Sequence, residues 1–378
     1  RAMRPARVLR SLALAALLTG CGAGGGEPVF LGVAGPLSQA NGRSMRLAAE
    51  MAVEEINARG GIHGRPLALI FKDDEANPER AIEVAAELRD DPRVLAVVGH
   101  VNSAASLAAA DIYNDPENGL VELSPASSSP ALSEAGEWTF RVCPSDLQHG
   151  PALARWIHDQ LKRRRAAVLY ANDDYGRGVL DSFTDAFRAA GGEVIARDPF
   201  LPSLYEDERT LDPYLERALR QRMDALVVAG QAEEALRIVR AARRLGYRGP
   251  ILGADGLTGL RDAGEIAEGV FVTSAFLPDR PTPAARRFVQ DYQDRFGELP
   301  DHRGAMTYDA IHLLARVIEE LGPGATRREI RDYLAGVGTR TPAFEGVSGT
   351  IAFDENGDVA SKDVAVGIIR EGEIRTAS

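Results

Sequence analysis

Short apolar runs alternate with amphipathic stretches along most of this sequence, and this alternation constrains the fold more than any other feature. The runs are rich in Val, Ile and Leu, which is typical of strands buried on both faces of a parallel sheet. In the helical stretch 46–58, Leu47, Met51 and Ile56 share one side, opposite charged residues. We predict strands at 29–34, 67–71, 94–98, 120–123, 166–170, 193–197, 225–228, 250–252 and 269–273. This βαβ order predicts an α/β protein with doubly wound parallel sheets.

The length and the order of elements predict two domains. The chain has 378 residues, which is more than one typical domain needs to bury a core. The alternation pauses at FRVCPSDLQHG (140–150) and then restarts, and helices dominate from about 276 to 336. In the tail, Asp354-Glu355-Asn356-Gly357 predicts a hairpin turn; a calcium loop is disfavoured because the EF-hand spacing and its closing glutamate are missing.

The charge argues against nucleic acid as a partner. The formal net charge is -11, and four of the basic residues are arginines within the first ten positions, so the rest of the chain is more acidic still. A body of this charge is repelled by phosphate backbones. We therefore expect no nucleic-acid partner.

The N-terminus has the order of an export signal. A basic stretch is followed by the apolar run SLALAALL and then by Leu18-Thr19-Gly20-Cys21, the pattern of a bacterial lipoprotein signal in which the cysteine is lipidated. A plain secretory signal with an incidental cysteine is the alternative. We expect residues 1–20 to be the signal peptide, Cys21 to carry lipid and the glycine-rich segment 21–28 to be a flexible tether. The single remaining cysteine, Cys143, is expected to be a small buried residue.

The segment GHVNSAAS (99–106) follows the strand at 94–98 and precedes an alanine-rich helix. Such a joint can hold a phosphate, present a catalytic serine or bind a small ligand through free N–H groups at the helix N-terminus. No G-x-S-x-G, G-x-G-x-x-G or G-x-x-x-x-G-K-[ST] motif follows any of the predicted strands. A hydrolase that uses Ser103 and His100 stays a weaker alternative, since no third group that would orient the histidine is identifiable.

A second polar loop favours the ligand-binding interpretation. LSPASSSP (123–130) also follows a strand and also precedes a helix. Loops at the carboxyl ends of neighbouring parallel strands converge on one crevice. Two serine-rich loops in that crevice would offer hydroxyl and N–H groups to one small anion such as a carboxylate.

Several further segments resemble one known family. They are AGPLSQANG (34–42), AVEEINARGGIHGRPLALIFKDDEANPERA (52–81), VVGHVNSAAS (97–106), ELSPASSSPALSEAG (122–136), FRVCPSDLQHG (140–150), NDDYGRGVLDSF (172–183), AARRLGYRGPILGADGL (241–257) and AEGVFVTSAF (267–276). Together they resemble the type I periplasmic substrate-binding proteins of ABC importers, in the class that binds branched-chain amino acids. The resemblance extends over nearly all of the chain after the export signal.

The resemblance implies two α/β lobes that close on a ligand and are joined by three crossings of the chain. We expect one lobe to comprise 29–142 plus 277–344 and the other 143–276 plus 345–378. It also implies that Ser103 binds the ligand's carboxylate, that Ala126, Ser127 and Ser128 hold its carboxylate and ammonium, and that Tyr175 and Asp255 approach from the second lobe. In this scheme Asp255 pairs with the ammonium. Alone, Ala254-Asp255-Gly256 would indicate only a turn.

Departures from the family pattern bear on specificity. Asn102 and Ala76 stand where branched-chain amino acid binders have a disulfide, and Asn41 and Gln231 stand where aromatic side chains line the ligand pocket. Asn and Gln need hydrogen-bond partners, which apolar ligands do not supply. We therefore expect a ligand more polar than leucine, bound by Ser103, the 126–128 loop and these side chains.

The predicted function is that of an exported, lipid-anchored receptor in the periplasm. It would bind an amino acid or similar small zwitterion and deliver it to the permease and ATPase of an ABC importer. The alternative is a ligand-sensing subunit of the same fold that acts on a membrane signalling partner. We expect a monomer with no catalytic residue, no metal site and no cofactor; the six histidines are scattered without metal-ligand spacing.

Overall fold

The computed structural model describes residues 26–201, 208–280, 282–359 and 361–378. The export signal, Cys21 and most of the tether therefore lie outside the described residues. Within them, no helix combines the length and the apolar character that crossing a membrane requires.

Two parallel sheets form the framework. The first has the order β2-β1-β3-β4-β5 and the second the order β14-β13-β10-β9-β8-β6-β7. In the first sheet the strands are β1 Val29–Gly35, β2 Leu67–Asp73, β3 Val94–Val98, β4 Val121–Ser124 and β5 Thr139–Arg141. In the second sheet they are β6 Arg165–Ala171, β7 Glu193–Phe200, β8 Ala225–Ala229, β9 Ile251–Gly253, β10 Phe271–Ser274, β13 Ala365–Arg370 and β14 Glu373–Thr376. The last two strands are antiparallel additions. All nine predicted strands are present, and the α/β fold class with two doubly wound sheets is confirmed.

Helices cover both faces of each sheet. Their bounds are α1 Ala40–Ala58, α2 Pro78–Asp90, α3 Ser103–Tyr113, α4 Asp146–Arg155, α5 Asp174–Ala189, α6 Asp212–Arg220, α7 Ala232–Arg244, α8 Pro283–Phe296, α9 His302–Leu321 and α10 Arg327–Leu334. A 3₁₀-helical segment, Asp255–Ala267, follows β9. Helix α1 begins before the predicted stretch at 46 and ends as predicted at 58.

The chain crosses between the lobes three times. It leaves the first sheet after β5 and enters the second lobe with α4, and it returns after β10 because α8, α9 and α10 pack in the first lobe. The third crossing precedes β13. The boundary predicted at 344/345 is wrong, since Ile351, Phe353 and Val359 are buried in the hydrophobic core of the first lobe.

The hairpin predicted around Asp354 is also wrong, although the turn itself is present. The Gly357 N–H donates to the Asp354 carbonyl at 3.1 Å. Across the turn, the Asp354 N–H donates to the Asp358 carbonyl at 2.9 Å, but the described flanking residues form no strand ladder with each other. Instead, the short strands β11 Phe344–Gly346 and β12 Gly349–Ile351 form a hairpin before the turn. The residues at the end of the turn bind Arg141 of β5 instead. The Arg141 N–H donates to the Gly357 carbonyl at 3.0 Å, and the Arg141 guanidinium pairs with Asp358 at 2.6 Å.

Candidate functional site

One cavity lies at the carboxyl ends of the strands of both sheets. Its lining residues are Val101, Asn102, Ser103, Ala126, Tyr175, Gln231, Asp255, Gly256, His302 and Arg303. Six of the nine residues predicted for ligand binding are in this set. The loops after β3 and β4 come from the first lobe, and those after β6, β8 and β9 come from the second. The parallel topology brings these loops together, as the sequence indicated.

Three predicted residues do not line the cavity. Ser127 and Ser128 are fully buried behind it: the Ser127 hydroxyl is 2.8 Å from the Ser106 hydroxyl, and the Ser128 carbonyl accepts from the Asp146 N–H at 2.8 Å. They hold the loop rather than face the cavity. Asn41 lies half-buried in the first turn of α1, outside the cavity.

The first-lobe side of the cavity offers hydrogen-bond donors. Ser103 is the first residue of α3, and its hydroxyl accepts from the Ser129 N–H at 3.2 Å. Its own hydrogen is thus left to donate elsewhere. Asn102 occupies the N-cap position, but its side chain does not cap the helix. The N-terminus of α3 therefore combines free N–H groups, a partial positive charge and a hydroxyl donor, which suit a carboxylate.

The second-lobe side carries the negative charge. Asp255 is 3% exposed, and the Tyr175 hydroxyl donates to its Oδ1 at 3.2 Å while accepting from the Gly256 N–H at 2.9 Å. A side chain at Gly256 would lie 2.6 Å from the Tyr175 hydroxyl oxygen, so a glycine is needed here for the tyrosine to approach.

Two buried histidines flank this carboxylate. Nε2 of His149 and Nε2 of His302 lie 3.5 and 3.7 Å from Asp255 Oδ2. Burial lowers the pKa of His149, and burial together with the neighbouring Arg303 lowers the pKa of His302 to about 4. Both rings are therefore neutral at pH 7, so neither histidine balances the negative charge of Asp255.

Arg303, in the first turn of α9, lines the cavity and pairs with Asp301, the N-cap residue of that helix. Burial alone would raise the pKa of the Asp301 carboxyl, but Arg303 and His302 hold it below its ordinary value. Arg303 donates to Asp301 at 3.2 Å, and it also reaches across to the second lobe, to Thr258 Oγ1 and Gln231 Oε1, each at 3.2 Å. Sequence reasoning missed His149, His302 and Arg303. For His302 and Arg303, the available signal was the polar run DHRG (301–304) before the apolar part of α9.

His100 and Ser103 do not form the pair that a hydrolase would need. The His100 ring is buried, with Nδ1 2.6 Å from Asp74 Oδ2 and Nε2 3.1 Å from the Tyr113 hydroxyl. Both ring nitrogens are thus engaged away from Ser103. Cys143 is buried as predicted, and burial raises the pKa of its thiol well above the usual range.

Comparison with known proteins identifies the family. A family described as periplasmic binding protein matches residues 28–373 of the chain. The chain belongs to this family.

Relatives and solved structures agree with this periplasmic binding protein assignment. The Leu/Ile/Val-binding protein of Escherichia coli K12 is 27% identical over 338 residues, 88% of each chain. A leucine-binding protein of Thermotoga maritima is 32% identical, with a TM-score of 0.84 over 93% of this chain and 98% of that one. An ABC transporter substrate-binding protein of Desulfitobacterium hafniense, solved in complex with Leu, is 31% identical, with a TM-score of 0.79 over 93% and 100%. This periplasmic binding protein is thus a solute-binding receptor, and the predicted family is confirmed.

The buried histidines predict how stability depends on pH. His302 has a pKa of about 4 in the folded chain, against about 6.5 when unfolded, so the unfolded chain binds the proton more readily in between. We expect the free energy of unfolding to fall by roughly 3 kcal/mol from this residue as the pH falls from about 6.5 to 4. Urea unfolding at several pH values in this range measures the effect. The free energy of unfolding should fall less steeply with decreasing pH in His302→Gln than in the control His63→Gln, where the histidine is partly exposed. Equal slopes for the two variants would contradict the assignment.

Proposed function

We propose that this chain is an exported receptor that binds an amino acid or similar small zwitterion between its two lobes and delivers it to an ABC importer. The observation that carries the proposal is the placement of Asp255 across the cavity from the N-terminus of α3. These two features offer opposite charges to the two ends of one zwitterion. Their separation on different lobes ties binding to closure.

Energetics explain why a zwitterion suits this arrangement. The site buries the acidic side chain of Asp255 between two neutral histidines, and an unpaired buried charge is costly. A ligand ammonium would remove that cost at Asp255, while the ligand carboxylate would accept from Ser103 and the α3 N–H groups. Since only the closed arrangement makes both sets of contacts, the ligand stabilises closure by its difference in affinity between the open and closed forms.

Anchoring and assembly complete the proposal. The order of a basic stretch, an apolar run and Leu18-Thr19-Gly20-Cys21 supports lipidation of Cys21 and attachment to a membrane of the cell envelope. We expect the attached receptor to be a monomer. Relatives named as ABC transporter components support transport over the alternative of a sensing subunit. A location beside genes for a permease and an ATPase would support transport further.

A thermal-shift screen tests the proposed ligand class. A ligand that binds only the folded chain raises its melting temperature by mass action. We expect at least one α-amino acid to do so, and to do so more than short carboxylic acids or amines that carry one of its two charges. A screen in which no amino acid or related zwitterion raises the melting temperature would contradict the proposal.

Ser103→Ala tests the carboxylate end. Removal of one hydroxyl donor to a charged group should weaken binding of the best amino acid by about 1.5–3 kcal/mol, measured by calorimetry. The melting temperature without added amino acid should fall modestly, since the buried Ser129 N–H loses its hydrogen-bond acceptor. Unchanged affinity would show that the carboxylate lies elsewhere.

A further inference from the structure

Arg303 is a buried arginine in the lining of the cavity. It is 4% exposed, lies in the first turn of α9 and lines the cavity. Its terminal nitrogens donate to Asp301, Thr258 and Gln231. Its Nε is buried without a hydrogen-bond partner among the described residues. A buried donor that stays unpaired costs free energy, so a ligand that supplies an acceptor here is favoured.

A second unpaired atom belongs to another residue that lines the same cavity. The side-chain oxygen of Asn102 is buried and likewise has no hydrogen-bond partner in the described part of the chain. Asn102 lines the cavity with Arg303 but comes from the loop after β3. The residues that line the cavity thus carry one unpaired donor, Arg303 Nε, and one unpaired acceptor, Asn102 Oδ1. Neither atom is assigned to the carboxylate or the ammonium of the ligand.

The charges of the lining argue against an acidic ligand side chain. Arg303 is already paired with Asp301, whose carboxyl has a pKa below its ordinary value because of Arg303 and His302. The other basic side chain that lines the described cavity, His302, is neutral at pH 7. A second carboxylate on the ligand would therefore enter beside Asp255 and Asp301 without a cation of its own.

We propose that the ligand is an amino acid whose side chain ends in a carboxamide. The amide oxygen accepts from Arg303 Nε, and the amide nitrogen donates to Asn102 Oδ1. A carboxamide is neutral and supplies one acceptor and donors together, which matches the unpaired pair. This inference rests on the proposed function and assigns Arg303 and Asn102 as its specificity determinants.

Calorimetry with the whole chain tests the inference. The probes are glutamine, asparagine, glutamate, aspartate and leucine. We expect glutamine or asparagine to bind at least tenfold more tightly than the corresponding acid and than leucine. Tighter binding of either acid, or of leucine, would overturn the carboxamide assignment and leave the proposed amino-acid receptor intact. Binding of none of the five would overturn this inference, while the proposed receptor would stand if another zwitterion raised the melting temperature.

Variants locate the determinant. Arg303→Leu should reduce the affinity for the preferred amide at least tenfold and leave that for leucine unchanged or higher. The control is Arg261→Leu, which removes a half-buried arginine that donates to the Leu299 carbonyl outside the cavity. This variant should keep the preference for the amide. Asn102→Ala should also reduce the preference for the amide over leucine. This second variant tests the assignment even if Arg303→Leu does not fold. An amide preference that survives in both Asn102→Ala and Arg303→Leu would overturn the assignment.

Discussion

Asp255→Asn should weaken the binding of α-amino acids by about 2–5 kcal/mol, because the ligand's buried ammonium loses its charged partner. The substitution preserves the shape of the side chain and its hydrogen bond from Tyr175. Asp255 is 3% exposed, and the histidines beside it are neutral at pH 7. Solvent therefore cannot replace the lost charge. Calorimetry with the best ligand of the screen measures the effect.

Asp262→Asn is the matched control for this change. Asp262 lies in the same 3₁₀-helical segment, but its side chain is 79% exposed and faces Arg261. Its substitution should leave the affinity unchanged. Equal affinities for Asp255→Asn and Asp262→Asn would show that the ammonium does not bind at Asp255.

Arg141→Met should lower the free energy of unfolding by about 3–5 kcal/mol, the usual cost of removing one partner of a buried ion pair. Arg141 is 1% exposed. Its guanidinium pairs with Asp358 and donates to the carbonyl of Ser129 at 2.7 Å and to the hydroxyl of Ser133 at 2.6 Å. The substitution leaves the Asp358 carboxylate without its cationic partner and loosens the loop that carries Ala126.

Urea unfolding followed by circular dichroism checks this prediction. Arg375→Met serves as the control, since Arg375 is half-exposed on β14 and pairs with surface glutamates; such pairs contribute at most about 1 kcal/mol. A similar loss for both variants would contradict the role of Arg141 as an anchor of the loop. Ligand affinity should fall as well in Arg141→Met, because Ala126 lines the cavity.

The sheets could be predicted from sequence because buried parallel strands leave a signal in nearly every element. The strand Val94–Val98 is an unbroken apolar run, and its end was predicted to the residue. The hairpin near Asp354 could not be predicted in the same way. There, the local turn chemistry was correct, but the partner of the segment is Arg141, more than 200 residues away.

The site was predictable where its residues directly follow strands. Ser103 and Asp255 begin helical segments at strand ends, so parallel topology places them together. Ser127 faces inward because its hydroxyl bonds to Ser106 and to backbone carbonyls, which the composition of a serine-rich loop does not reveal. Arg303 lies on a helix from the returning part of the chain, and only the tertiary packing brings α9 to the cavity.

The most direct test of the central claim is calorimetry of one amino acid against two of its blocked forms. The best ligand of the screen is compared with its N-acetyl derivative, which lacks the ammonium, and with its α-carboxamide, which lacks the carboxylate. If Asp255 and the N-terminus of α3 bind the two ends of a zwitterion, both derivatives should bind at least a hundredfold more weakly than the free amino acid. Binding of the N-acetyl derivative as tight as that of the free amino acid would contradict the account.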